Sequence, residues 1–233
     1  MFGRERGEMI LTAQDIEKAH RDGVIKIDPF EPKQVQAASY DLRVGRQGAT
    51  TSSKKLINIE EQGYLPVEPG DFAVVAVLEE LTVGPQYAGR IGLRSKYARK
   101  GLVATTGPQI DPGYHGRLMV GLTNLTPNAI PLLFKDDFIT VEFHKLEHPT
   151  SRPYNGPYQD RLEFGPEEME AVTEGKGMAL SEVLTTLRSV SANVSSLADS
   201  VTTLKGEMST LRWLLPLIMV LGIAAITAIA AIK

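Results

Sequence analysis

Apolar residues in the C-terminal quarter of the chain keep a seven-residue beat. Leu180, Leu187, Val194, Val201, Met208 and Leu215 are seven apart, and Val183, Val190, Leu197, Leu204, Leu211 and Ile218 follow them by three. Alternating steps of three and four hold one apolar stripe along a helix, and a sustained stripe of this period winds helices around one another to the left. Residues 178–212 are therefore predicted to form a coiled-coil stalk. Val at the first core position with Leu at the second leans towards two parallel strands, although the outer heptads place Leu first. A lone amphipathic helix lying on a membrane is the competing reading. It calls for a basic polar face, whereas the surface positions here are mostly Ser and Thr.

The stripe runs without loss of phase into residues 213–232, which carry no charge and are flanked by Arg212 and Lys233. As a helix this run is roughly 30 Å long, about the thickness of a bilayer's hydrocarbon core. It is predicted to be a transmembrane helix, with Pro216 a place for a kink. A buried core helix is the alternative, but such helices are usually shorter and keep a polar stripe. The N-terminal stretch has no apolar segment long enough for a signal peptide. The expectation is a single-pass C-terminal anchor in a membrane, with the rest of the chain in the cytoplasm and membrane proteins as further partners.

Residues 1–162 read as a separate head. Thr12 is placed to cap a helix over 13–21, with Gly23 as its stop. Beyond it the pattern shortens to strands, at 73–77, 118–122 and 138–143, bounded by Pro-Gly, Asp-Pro-Gly and Lys-Asp-Asp turns. Many short strands with frequent turn signals predict a mainly β head, a barrel or sandwich. Residues 163–177, rich in Glu and Gly, read as a linker. The full 233 residues contain no Cys, which excludes disulfides, thiolate zinc sites and cysteine nucleophiles. A net charge of −3 speaks against a general nucleic-acid binder. His144 and His148 alternate as on a strand, so no metal site is expected from them. His20 and His115 read as surface residues.

Three clusters in the head carry candidate chemistry. The first runs from Ala38 through Ser39, Tyr40, Asp41 and Arg43 to Gly45. In the second, Arg94, Ser95, Lys96 and Arg99 bring three cations and a hydroxyl together, suited to phosphate oxygens. In the third, Asp111-Pro112-Gly113-Tyr114-His115-Gly116 sets a carboxylate at a tight turn beside an aromatic ring, where it can position a water next to a stacked base. Singly, each has a plainer reading: a solvated basic loop, and an ordinary turn.

Their order and wording resemble the dCTP deaminase and trimeric dUTPase superfamily over residues 8–161. Ile10-Leu11-Thr12, Asp15-Ile16, Gly23-Val24-Ile25-Lys26-Ile27 and Asp28-Pro29-Phe30 look like the start of a dCTP deaminase, as does Ser39-Tyr40-Asp41-Leu42-Arg43-Val44-Gly45. Arg94-Ser95 with Ala98-Arg99 and Gly101 is similar to the triphosphate motif. Ile110 through Gly116, continuing to Asn124, is similar to the base and sugar motif, and Tyr154 to Gln159 resembles the segment that closes over the nucleotide. The resemblance implies a distorted jelly-roll protomer and a homotrimer with sites shared between neighbours. It also implies a pyrimidine deoxynucleotide ligand, with Mg²⁺ bound through the triphosphate. Its nucleotide-binding set here is Arg94, Ser95, Lys96, Arg99, Gln109, Tyr114, Tyr158 and Gln159.

Two departures bear on activity. The deaminases' proton-shuttling glutamate falls at Gly121, which has no group to exchange a proton, so deamination is not expected. Pro157 stands where the closing segment usually has a lysine, with Arg161 offering some replacement charge. The dUTPase branch needs no such glutamate and implies that Asp111 orients water for attack on the α-phosphate. Two readings stay open. One is a membrane-anchored homotrimer that binds pyrimidine deoxynucleoside triphosphates and hydrolyses dUTP to dUMP and pyrophosphate. The other is a catalytically inactive structural or nucleotide-sensing module of a membrane complex.

Overall fold

The computed structural model describes residues 9–174 and 178–231; within the last helix, side chains are described only at some positions from 186 to 223. Expected helix α1 (Ala13–Arg21) forms where the sequence places it. The Asp15 carboxylate accepts bonds from both the backbone N–H and the hydroxyl of Thr12, at 3.2 and 2.6 Å. Gly23, at φ +72°, ends the helix in the left-handed region. Its buried face, Ile16 and Ala19, packs on the β core.

Around α1 the chain builds β1 (Met9–Ile10), β2 (Ile25–Asp28), β3 (Tyr40–Thr50), β4 (Ile57–Asn58), β5 (Tyr64–Val67), β6 (Phe72–Val83) and β7 (Tyr87–Leu93). They are followed by β8 (Leu102–Ala104), β9 (Gln109–Ile110), β10 (His115–Asn124), β11 (Ile130–Leu133) and β12 (Asp137–Lys145). Single-turn helices α2 (Ile59–Gln62) and α3 (Ser95–Ala98) interrupt them. The strands form one curled antiparallel sheet in the order β8-β10-β6-β3-β12-β7-β9, with β5 and β11 as a separate pair. The head is mainly β, as predicted, with Tyr40, Phe138, Phe143 and a set of Ile, Leu and Val side chains filling the inside.

Strand β3 joins the two halves of the sheet. Its first residues pair with β12 and its later ones with β6, and the register against β6 slips between Val44 and Gly48. At the slip the backbones approach closely: a Cβ on Gly45 would lie 2.5 Å from the Val77 carbonyl oxygen. Only glycine fits there. Beside this crossing, Arg43 donates from its backbone N–H and its Nε to the fully buried Glu79 carboxylate, at 2.9 and 2.6 Å, and from Nη2 to the Pro29 carbonyl at 3.1 Å. Burial pushes the Glu79 carboxyl up in pKa, against the pull of those Arg43 bonds.

Two sequence expectations need adjustment. The three predicted strands are longer than their apolar runs, because Glu79 and Glu80 continue β6: the first is satisfied by Arg43 and the second by His115. The segment read as a linker, 163–177, instead carries helix α4 (Pro166–Thr173). Met169 and Val172, three apart, share a face, and Val172 is fully buried in a small cluster with Ala49 and Val74. The Glu-rich composition hid that amphipathic turn. Residues 175–177 lie outside the described residues.

Helix α5 (Met178–Ala231) is one continuous element with Pro216 inside it. Its described seam residues, Leu187, Val190, Val194, Leu197, Val201, Leu204, Met208 and Ile218, are all more than half exposed in the single chain. The predicted span 213–232 falls in large part on side chains outside the described residues. Among the described residues no helix is long and apolar enough to cross a membrane.

The Arg43–Glu79 pair generates a stability prediction. Glu79→Ala leaves a guanidinium only 11% exposed without its counter-ion, a loss of about 3–5 kcal/mol. Glu79→Gln, which keeps an acceptor, costs less. Thermal or urea denaturation monitored by circular dichroism checks both.

Candidate functional site

A cavity of about 730 Å³ opens between β10, the loop before β9 and the segment 154–171. Its rim is built by the Asp111-Pro112-Gly113 turn. Gly113 takes φ +89°, and a Cβ there would meet Pro153 at 2.6 Å, so the turn requires glycine. The Tyr114 N–H donates to the Asp111 carbonyl at 3.1 Å, which closes the turn and sends the Tyr114 ring inward. That ring is buried, 5.8 Å from Tyr154 in a tilted pair. Burial, then the neighbouring Tyr154, pushes the Tyr114 pKa up, so its hydroxyl stays protonated at neutral pH. Across the mouth, the Gln109 amide donates to the Asp111 carboxylate at 2.6 Å and fixes its orientation.

The closing segment zips onto this turn along its own backbone. Tyr154 N–H donates to Pro112 O at 2.8 Å, Asp160 N–H to His115 O at 2.8 Å, and Arg117 N–H to Arg161 O at 2.7 Å. The Gln159 side chain adds two bonds, donating to Gly113 O at 3.1 Å and accepting from His115 N–H at 3.2 Å. His115 is held between two carboxylates, Nδ1 to Asp160 at 2.6 Å and Nε2 to Glu80 at 2.8 Å. Those bonds, Asp160 first, raise its pKa. It is a clasp between β10, β6 and the segment rather than the plain surface residue the sequence implied.

The structure divides the predicted binding residues into two groups. Gln109, Asp111, Tyr114 and Tyr158 line the cavity, and Gln159 braces its rim. Arg94, Ser95, Lys96 and Arg99 are not on its wall in the single chain. They belong to α3 and its flanks, where Arg94 pairs with Asp41 and, at 2.9 Å, with Asp137. Lys96 reaches Asp136 at 2.6 Å and Asp137 at 3.1 Å, and the Tyr97 hydroxyl donates to Asp136 at 2.6 Å. Burial works to raise the Asp136 pKa, but the bonds from Lys96 and Tyr97 outweigh it and hold the carboxyl low.

Gly121 lies on the cavity floor, and its missing side chain has been replaced by neighbours. A Cβ there would be 2.8 Å from the Thr105 hydroxyl, 3.1 Å from the Phe72 ring and 3.2 Å from the Thr106 hydroxyl, which accepts the Gly121 N–H. A side chain at residue 121 would have to shift these groups. The sequence also missed Arg117, whose Nη1 donates to Leu162 O at 2.8 Å while its buried Nε has no partner among the described residues. The same holds for Glu167 and Glu168 of α4, which reach Arg161 at 3.2 and 2.7 Å across the cavity wall. Alternation along β10 was the one signal that pointed at Arg117. Among the described residues no three His, Asp or Glu side chains gather as a metal would need.

The His115 clasp predicts a pH dependence. Its raised folded-state pKa contributes stability that is fully present below about pH 6.5, the ordinary histidine value, and is lost as pH rises through the folded value. Comparing His115→Gln with the parent across pH 5–9, the gap in melting temperature should shrink with rising pH. A constant gap would remove charge from the explanation.

The model of the dCTP deaminase-like family matches residues 10–138. The dCTP deaminase of Thermococcus sibiricus is 36% identical over 151 residues, covering 65% of this chain and 92% of that protein. The dUMP-forming dCTP deaminase of Aquifex aeolicus is 27% identical over 161 residues, covering 65% and 89%. In three dimensions the chain is similar to the 2'-deoxycytidine 5'-triphosphate deaminase of Agrobacterium tumefaciens, with a TM-score of 0.52 at 18% identity, over 60% of this chain and 50% of that one. With the curled sheet, the Asp-Pro-Gly turn and the segment folded over it, these matches settle the assignment: the chain belongs to the dCTP deaminase-like family.

Proposed function

We propose that this protein binds a pyrimidine deoxynucleoside triphosphate in the cavity and hydrolyses dUTP to dUMP and pyrophosphate. The observation that carries this reading is the pairing of an oriented carboxylate with a filled floor. Asp111 is fixed by Gln109 at the cavity mouth, while the glutamate needed for deamination is replaced by Gly121 under Thr105, Thr106 and Phe72. In this reaction Asp111 accepts a proton from water as the water oxygen bonds to the α-phosphorus. The bond from that phosphorus to the bridging oxygen breaks, and pyrophosphate leaves with the electron pair. Magnesium, carried in on the triphosphate, offsets its charge, and Tyr114 packs against the sugar. Arg94, Ser95, Lys96 and Arg99 would complete the phosphate site from a neighbouring copy in a homotrimer, since they stand off the cavity of their own chain. The uncharged run 213–232 supports a membrane tether for this assembly.

A second reading, a sensor or scaffold without turnover, is favoured by the charge on the cavity wall, where Arg161 is already paired with Glu167 and Glu168. The test uses the full chain in detergent with Mg²⁺ and dUTP, dCTP, dTTP or UTP. Pyrophosphate release from dUTP, lowered at least ~10²-fold by Asp111→Asn, is the expected result. Stabilisation by a nucleotide without product would favour the sensor, and conversion of dCTP to a uracil product would overturn the reading of Gly121. Gly121→Glu is expected to lower the melting temperature and confer no deamination, because its Cβ would crowd Thr105, Phe72 and Thr106.

A further inference from the structure

Arg161 is the cation on the cavity wall best placed to meet an anion, and in this chain it is already answered. Its Nη1 reaches Glu168 at 2.7 Å and Glu167 at 3.2 Å, and its guanidinium lies 4.9 Å from the centre of the Tyr158 ring. Glu168 is almost fully buried and also accepts the Gly165 N–H at 2.7 Å, which ties the ion pair to the first turn of α4. The same helix is also held down by Val172 against Ala49 and Val74, with Phe72, Met119, Phe164 and Met169 around them. Phe72, Met119, Glu167, Glu168 and Ala171 all line the cavity. The wall of the cavity and the seat of α4 are therefore one surface.

We infer that Glu167 and Glu168 hold the place of a ligand's phosphate oxygens on Arg161, and that a polyphosphate entering the cavity displaces them and undocks α4. The inference rests on the nucleotide reading above and adds its regulation. The physical ground is competition for one guanidinium. A polyphosphate offers several charged oxygens in the fork geometry that Arg binds bidentately, whereas the two carboxylates are bound to a short helix. Once Glu168 leaves, the N-terminal turn of α4 loses the carboxylate that capped it, and the apolar contacts of Met169 and Val172 must hold eight residues. Segment 154–161 stays in place throughout, because its backbone bonds to 112–117 do not involve α4.

The absence of cysteine makes the test clean. Val172→Cys is close in size, and the thiol is protected from maleimide while α4 is docked. Binding of Mg·dUTP, Mg·dCTP and inorganic tripolyphosphate to the full chain is measured by calorimetry, and thiol labelling is followed in parallel. Bound polyphosphate should speed labelling severalfold, and Glu167→Gln with Glu168→Gln should speed it without ligand and tighten polyphosphate binding by roughly tenfold, the scale of one partly buried ion pair. Binding with labelling unchanged or slowed would overturn the inference and leave the nucleotide site standing. Binding of none of the three would overturn both. Should Val172→Cys fail to fold, the affinity of the double Gln variant decides alone: no gain, or a loss, refutes competition at Arg161.

Discussion

Strand β3 has to serve two partners, β12 with its first residues and β6 with its last, and the curl of the sheet follows from how it changes between them. The change is possible because Gly45 lets the β3 backbone pass almost in contact with the Val77 carbonyl, and because the Arg43–Glu79 pair fills the polar gap beside the slipped register. A side chain at residue 45, or a missing charge at 79, acts on the same point. Everything that forms the cavity hangs from it: β6 carries Phe72 and Val74 into the wall, and β10, paired to β6 along most of its length, carries Arg117 to Gly121. The site is set by the sheet rather than by loops alone.

The cavity itself combines a rigid half and a borrowed half. The Asp111-Pro112-Gly113 turn is fixed by Gly113's left-handed backbone and by pairing of β9 with β7. Opposite it, segment 154–161 forms no helix or named strand, only a turn and the Gly116–Arg161 bridge, and is tied to the Asp-Pro-Gly turn by backbone bonds, with His115 as the clasp. Arg94 and Lys96 stand apart with Asp41, Asp136 and Asp137, which neutralise them within the chain. The two groups of motif residues are therefore separate in one chain.

Much of this was legible in the residues. The cap of α1 follows from Thr12 and Asp15, and the strands follow from short apolar runs between Gly and Pro turns. The motif residues Gln109, Asp111, Tyr114 and Tyr158 do meet on one cavity. What escaped has physical reasons. Glu79 and Glu80 look like the end of a strand until their partners, 36 residues upstream and 35 downstream, are known. Helix α4 hides in a Glu-rich segment because one of its two buried residues is itself a glutamate, Glu168, and the other is Val172. The fate of the space above Gly121 depended on Thr105, Thr106 and Phe72, which no local pattern connects to it. Long-range pairing of polar groups is the information a single sequence withholds.

The exposed seam of α5 bears on how the protein can exist at all. Eight large apolar seam side chains, each more than half open to water, lie along one helix of the described chain. A helix in that state gains by meeting its own copies, and until it does it offers the surface that chaperones and proteases read as unfinished. Where copies do pair along this seam, the stability of α5 depends on how much protein is present.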